Sequence, residues 1–308
     1  METIHGFDFQ PLQFDRDGNA QSGVEDLARH VRDHAVTDVI FICHGFRNDV
    51  NDARGLCSRF LETLSDTRAR PDVVSQLSSR KFAIGGVFWP SMIFPEPDDS
   101  QGGAQSAGAM SQDRQRLELL KAGLDGRGQQ QIDQMIALLS SAASDDANAQ
   151  LKLAGHLLSL AQDLAVDDEN EFRTAFSQAS AGSLRNALLA GDALQVTAAT
   201  SGGAVGIPTL DSLPSGGGAA LSFFGKALGF VPKFLNLTTF LLMFQRCGTI
   251  GEKGISMAVR RVRDLSASVR VHLVGHSLGG RAVTACAKAL LADPFIAVDS
   301  MLLLQAAY

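Results

Sequence analysis

Apolar positions along the chain follow two periods that alternate in a regular order. From Ser22, the residues Val24, Leu27, Ala28 and Val31 fall on one helical face behind a Ser22-x-x-Glu25 capping-box pattern, which predicts a helix over about 22–34. DVIFIC (38–43) follows, a short β-branched apolar run ending at His44-Gly45-Phe46, and predicts a buried strand entering a loop. Ala53, Leu56, Cys57, Phe60, Leu61 and Leu64 then return to helical spacing. KFAIGGVFW (81–89) predicts another strand, stopped by Pro90. After a long interruption the same order resumes: a helix over about 252–267, a strand over 269–274, a helix over about 279–292 and a strand over about 299–305. Strands alternating with helices predict an α/β fold with right-handed crossovers, and one mostly parallel sheet that spans the interruption.

The interruption has a different period. Ile132, Met135, Ile136 and Leu139, and again Leu151, Ala154, Leu157, Leu158, Ala161 and Leu164, are spaced for helices, and strand patterns are nearly lacking. It opens on the loop PEPDDSQGGAQSAG and closes with a glycine-rich connection (201–220) before LSFFGKALGFVPKFLNLTTFLLMF (221–244). Lys226, Pro232 and Lys233 interrupt this last run, and the unbroken FLNLTTFLLMF is too short to span a bilayer. The expectation is a mostly helical cap over residues 91–247, inserted between a core of 1–90 and a core of 248–308. Residues 221–244 would be a core helix of that cap or a lid in peripheral contact with a membrane.

Composition narrows the function. With 27 Lys and Arg against 33 Asp and Glu, the net charge is -6, and no basic block is present to neutralise a run of phosphates, so nucleic acid is not an expected partner. Four scattered cysteines, without a C-x-x-C pair, suit a reduced chain, and METIHGFDFQ lacks the basic start and apolar core of a secretory signal. A cytoplasmic location is expected, with secretion by other routes left open. No metal-ligand spacing, phosphate loop or internal repeat is evident.

The candidate chemistry lies in VRVHLVGHSLGGRAV (269–283). A serine hydroxyl is a weak nucleophile, and it becomes useful where a base reaches its Oγ and backbone N–H groups face the oxyanion that forms. A sharp strand-to-helix turn provides that exposure, and the positions two before and two after the nucleophile must then be small. Gly275 and Gly279 meet that demand around Ser277, with a strand pattern before and a helical pattern after.

DVIFICHGF (38–46) and VHLVGHSLGG (271–280) resemble the oxyanion loop and nucleophile elbow of the α/β-hydrolase superfamily, of esterase and lipase type. The resemblance covers residues 1–90 and 248–308. It implies Ser277 as nucleophile, the N–H groups of Leu278 and Phe46 as oxyanion donors, and a carboxylic-ester or lipid substrate handled through an acyl-enzyme, with no metal or organic cofactor. His44 is expected to brace the loop together with Gly45. His276, adjacent to the nucleophile, is expected to pack rather than act as the base. The family order is nucleophile, acid, histidine. After Ser277 the chain offers only Asp293 and Asp299 and no histidine, so the expectation is a hydrolase whose acid and base lie beyond residue 308, with the sheet continuing past MLLLQAAY. The alternative is a hydrolase-like module that binds a partner or a membrane surface without turnover.

Overall fold

Three short strands precede the first helix: β1 (Glu2–Ile4), β2 (Phe7–Phe14) and β3 (Ala20–Ser22). They belong to a computed structural model that describes residues 1–46, 48–91, 107–164, 178–190, 230–293 and 296–306. The chain divides into two compact units, Met1–Met92 with Arg246–Ala307, and Ile93–Gln245. The loop at 95–106, the glycine-rich connection and residues 221–229 lie outside the described residues.

The first unit is built on a seven-stranded sheet. Helix α1 (Val24–Asp33) leads to β4 (Asp38–Cys43), α2 (Val50–Arg68) and α3 (Pro71–Leu77) lead to β5 (Phe82–Phe88), and β6 (Arg270–His276) and β7 (Ser300–Leu304) complete it. The strand order is β1-β2-β5-β4-β6-β7, with β3 on the side of β2. β2, β5, β4, β6 and β7 pair in parallel, while β1 and β3 run antiparallel to β2. The four strands expected from the sequence are therefore neighbours in one parallel sheet across the interruption. All six residues of β4 are buried, as both faces of a covered sheet require. On one face Ala53, Cys57 and Leu61 of α2 pack with Phe9, Ile40, Ile42, Ile84 and Val274. On the other, Leu27 of α1 meets Leu12 and Phe41 beside Gly85.

The start of α1 departs from the sequence reading. Ser22 pairs in β3, and Gly23 takes the N-cap at φ 87 with no side-chain cap. A Cβ there would stand 2.0 Å from the Pro11 carbonyl oxygen. Glu25, freed from a capping box, forms a two-pronged ion pair with Arg261 at 2.7 and 2.9 Å. The capping box appears instead on α2, where Asp49 and Asp52 exchange bonds with each other's backbone N–H.

The described part of the second unit holds helices and no strand: α4 (Ala107–Lys121), α5 (Gly126–Ala143), α6 (Ala147–Leu164), α7 (Ala181–Ala190) and most of α8 (Phe230–Thr249). Ile132, Met135 and Leu139 are buried on α5 as their spacing predicts, and Ala154, Leu157, Leu158 and Ala161 on α6. Leu151 is 40% exposed; Leu153 and Leu160 fill the stripe it was expected to share. Gln150 binds these helices together, its Nε2 donating to the Ala142 carbonyl and its Oε1 accepting from Arg185. On α8, no apolar residue between Phe230 and Phe244 is exposed. No helix among the described residues is long and apolar enough to cross one. Through a π-helical segment (Ile250–Ile255), α8 continues into α9 (Ser256–Leu265), and α10 (Leu278–Leu290) follows β6.

Candidate functional site

The strand order itself marks a place for chemistry. From β4 the chain moves to β5 on one side, then returns to β6 on the other, so the C-terminal ends of β4 and β6 flank a topological switch point, where open α/β sheets hold their ligands. His44-Gly45-Phe46 leaves one of these ends and Ser277 the other.

Ser277 has φ 53 and ψ -124, a backbone region costly to any residue with a Cβ. The turn is held by the Ser277 N–H donating to the Leu304 carbonyl at 3.0 Å and by the Gly280 N–H donating to the Ser277 carbonyl at 2.9 Å. Both flanking glycines are steric necessities. A Cβ on Gly275 would stand 2.4 Å from the Gly279 oxygen, and one on Gly279 would stand 2.2 Å from the Cys43 oxygen. Gly45 lies directly against the serine: a Cβ on it would meet Ser277 Cβ at 2.8 Å and Oγ at 3.3 Å. The two motifs, far apart in sequence, thus close on one hydroxyl. Leu278 opens α10, so its N–H is one of the helix donors without an intrahelical partner, at the positive end of the dipole.

His44 is 2% exposed, and both its ring nitrogens are engaged. Nδ1–H donates to the Gly45 carbonyl at 2.9 Å, and Nε2 accepts the Trp89 N–H at 3.3 Å, which fixes the neutral tautomer. Burial pushes its pKa down to about 4 against the raising effect of the Gly45 carbonyl. Trp89 stacks on the imidazole at 5.6 Å and donates Nε1–H to the His44 carbonyl at 3.0 Å. Asn48 closes the loop from below: its Nδ2 donates to the Gly45 and Phe46 carbonyls, each at 3.1 Å, and its backbone exchanges bonds with the buried Ser91 hydroxyl. Both bonds hold the His44 ring between its own loop and the end of β5. Trp89 and Ser91 were not read from sequence, because nothing local marks contacts made over more than 40 positions, and Asn48, bonded to carbonyls two and three positions back, carries no pattern that distinguishes it from other loop asparagines.

His276 is half-buried; burial lowers its pKa, Gln305 opposes that, and Arg59 adds to it. Among the described residues no imidazole or carboxylate hydrogen-bonds to Ser277 Oγ. His5, His30, His34, His156 and His272 are bonded elsewhere, to Ser58, Asp8, the His30 carbonyl, Gln131 and Asp38. The two acids after the elbow have structural partners: Asp293 pairs with Arg260 at 3.0 Å, and Asp299 accepts the Val271 N–H at 2.8 Å near the far end of β6.

Compared with known proteins, the chain matches no family model, no curated sequence and no solved structure.

Proposed function

We propose that the chain is the core of a serine hydrolase of the α/β-hydrolase type that cleaves a carboxylic ester through an acyl-enzyme on Ser277. The observation that carries this reading is the strained serine, held at φ 53 at the mouth of α10 with the Gly45 loop against its hydroxyl. Strain at a non-glycine residue persists where surrounding structure enforces it, and it gathers at functional sites. In the proposed reaction Ser277 Oγ bonds to the substrate's carbonyl carbon as its proton passes to a base. The N–H groups of Leu278 and Phe46 hold the oxyanion. Collapse breaks the ester bond, the leaving alcohol takes the proton, and water later releases the acid. The preference for an ester rests on the superfamily resemblance.

His44 is committed at both nitrogens, so the base is His276 after reorientation or an imidazole that these 308 residues do not supply. The missing hydrogen bond to Ser277 Oγ favours a second reading, a module that uses the same crevice to bind a partner without turnover. A fluorophosphonate probe distinguishes them. Labelling is expected to be slow, confined to Ser277, accelerated several-fold by free imidazole and lost in Ser277→Ala. If labelling with imidazole present equals that of Ser277→Ala, the hydrolase reading falls and the binding module stands.

A further inference from the structure

The helix running from α8 into α9 changes register at Ile250–Ile255, where it becomes a π-helix. A π turn carries an extra residue, which displaces the backbone outward from the regular helical path. Here the displaced backbone lies against the elbow helix. A Cβ on Gly251 would stand 1.9 Å from the Ala282 carbonyl oxygen and 2.7 Å from its carbon, a collision with main chain that no rotamer relieves. Gly248, one turn earlier, sits where a Cβ would meet the Arg281 guanidinium at 3.3 Å. A Cβ on Gly254 would stand 2.8 Å from the Phe14 ring and 3.0 Å from the Gly18 oxygen, so the segment is also packed closely against the β2–β3 turn. The Ser256 hydroxyl donates to the Glu252 carbonyl, tying down the end of the π register.

We propose that the π-helical segment is the seat that fixes the Ser277 elbow, with Gly251 as a positioning residue. Ala282 lies in the first turns of α10, and Leu278 and Ser277 begin the same rigid helix. A shift of the Ala282 backbone is therefore delivered to the serine and to the Leu278 N–H beside it. Displacements of about 1 Å at a reacting group cost on the order of a hundredfold in rate. The inference rests on Ser277 as the reacting group, but it concerns geometry and is testable without catalysis.

The test uses the full chain carrying Ser277→Cys. The native Cys43, Cys57, Cys247 and Cys286 are all free and at most 1% exposed, so the introduced thiol is the accessible one. Its iodoacetamide alkylation is followed against pH by mass spectrometry. A thiol at a helix N-terminus has a depressed pKa and reacts early in the titration. Adding Gly251→Ala is expected to slow alkylation at pH 7 by about tenfold, as the helix N-terminus moves off the sulfur. Val31→Ala, which opens a cavity in α1, is expected to lower the melting temperature and leave the rate within about twofold. Should Gly251→Ala fail to fold, Gly248→Ala carries the test, slowing alkylation about threefold through Arg281. A Gly251→Ala rate within twofold of the parent overturns the proposal. So does a Val31→Ala protein that slows as much, or, in the fallback, an unchanged Gly248→Ala protein. Failure of the hydrolase reading alone leaves these rates unaffected and shows only in the fluorophosphonate experiment.

Discussion

At the N-terminal ends of β4 and β6, Asp38 is fully buried and both its oxygens are taken. Arg270 grips it with two bonds at 2.8 and 2.9 Å, Arg80 adds a second pair, His272 Nε2 donates at 3.0 Å and the Thr37 hydroxyl at 2.6 Å. Burial alone would raise its pKa, but these donors together hold it well below the ordinary carboxylate range. His272 Nδ1 also meets the Ser300 hydroxyl at 2.7 Å, joining β7 to the network. At the C-terminal ends of the same strands no comparable carboxylate network is present among the described residues. Ser277 is strained, its hydroxyl has no described imidazole or carboxylate partner, and the nearest loop is packed by glycine contacts that leave no room for a methyl group. One end of the sheet spends its polar groups on fixing strand register; at the other, the Ser277 hydroxyl has no imidazole or carboxylate partner among the described residues. A catalytic or binding crevice requires that second condition, and the rigidity of the first end makes it sustainable.

The largest expected effect breaks the satisfied end. Asp38→Ala leaves two guanidinium groups without their acceptor in a partly buried position, and it should cost about 3–5 kcal/mol in urea unfolding. Asp38→Asn, which keeps an acceptor oxygen and the packing, should cost less. A loss below about 1 kcal/mol for Asp38→Ala would mean that the network is replaceable by water, and the contrast between the two ends would fail.

The second effect belongs to the site end and comes from His44. Its folded pKa, about 4, lies below the ordinary histidine value of 6.5, so the unfolded chain takes up a proton first as pH falls. Stability from this group is full above about pH 6.5 and is lost between there and about pH 4, which amounts to about 2 kcal/mol between pH 7 and pH 5. Asp38, with its pKa depressed, acts in the same direction but only as pH drops below its unfolded value of 3.8, outside that window. His276, lowered by burial, adds a slope of the same sign that persists when His44 is replaced. Denaturant titrations at pH 7 and pH 5 should therefore give a smaller difference for His44→Gln than for the wild type. Parallel slopes would show that His44 is already protonated in the fold, contrary to its two committed nitrogens.

How much of this was legible beforehand depends on whether the signal was local. The elbow could be read because Gly275, Ser277 and Gly279 are neighbours in sequence and the steric demand acts between neighbours. β4, with DVIFIC buried on both faces, was equally plain. β2 was not, because FDFQPLQF changes phase: Phe7 and Phe9 are buried, then Leu12 and Phe14, with the slip at Gln10-Pro11. The capping motif at Ser22 misled because Gly23 must pass within contact distance of Pro11, a tertiary constraint that overrides a local propensity. The bracing of the His44-Gly45-Phe46 loop by Trp89 and Ser91 depends on β5 ending beside β4, and pairing order carries no signature in either segment. The π segment was read only as helix, since the close approach that explains Gly251 comes from a strand-to-helix turn elsewhere in the chain.

The smallest effect is also the sharpest test of the strain on which the contrast rests. Ser277→Ala and Ser277→Gly both remove the hydroxyl, but only glycine relieves a backbone at φ 53 and ψ -124. A strained non-glycine residue costs about 1–3 kcal/mol, while a new glycine loses about 0.5–1 kcal/mol through the freedom it gives the unfolded chain. Subtracting one from the other, Ser277→Gly should be more stable than Ser277→Ala by about 1 kcal/mol, and both should lose fluorophosphonate labelling. Because both variants lack the hydroxyl, the difference between them isolates the backbone strain at this position. If Ser277→Ala proves as stable as Ser277→Gly, the elbow is relaxed in solution, and the two ends of the sheet no longer differ in the way on which the proposed site rests.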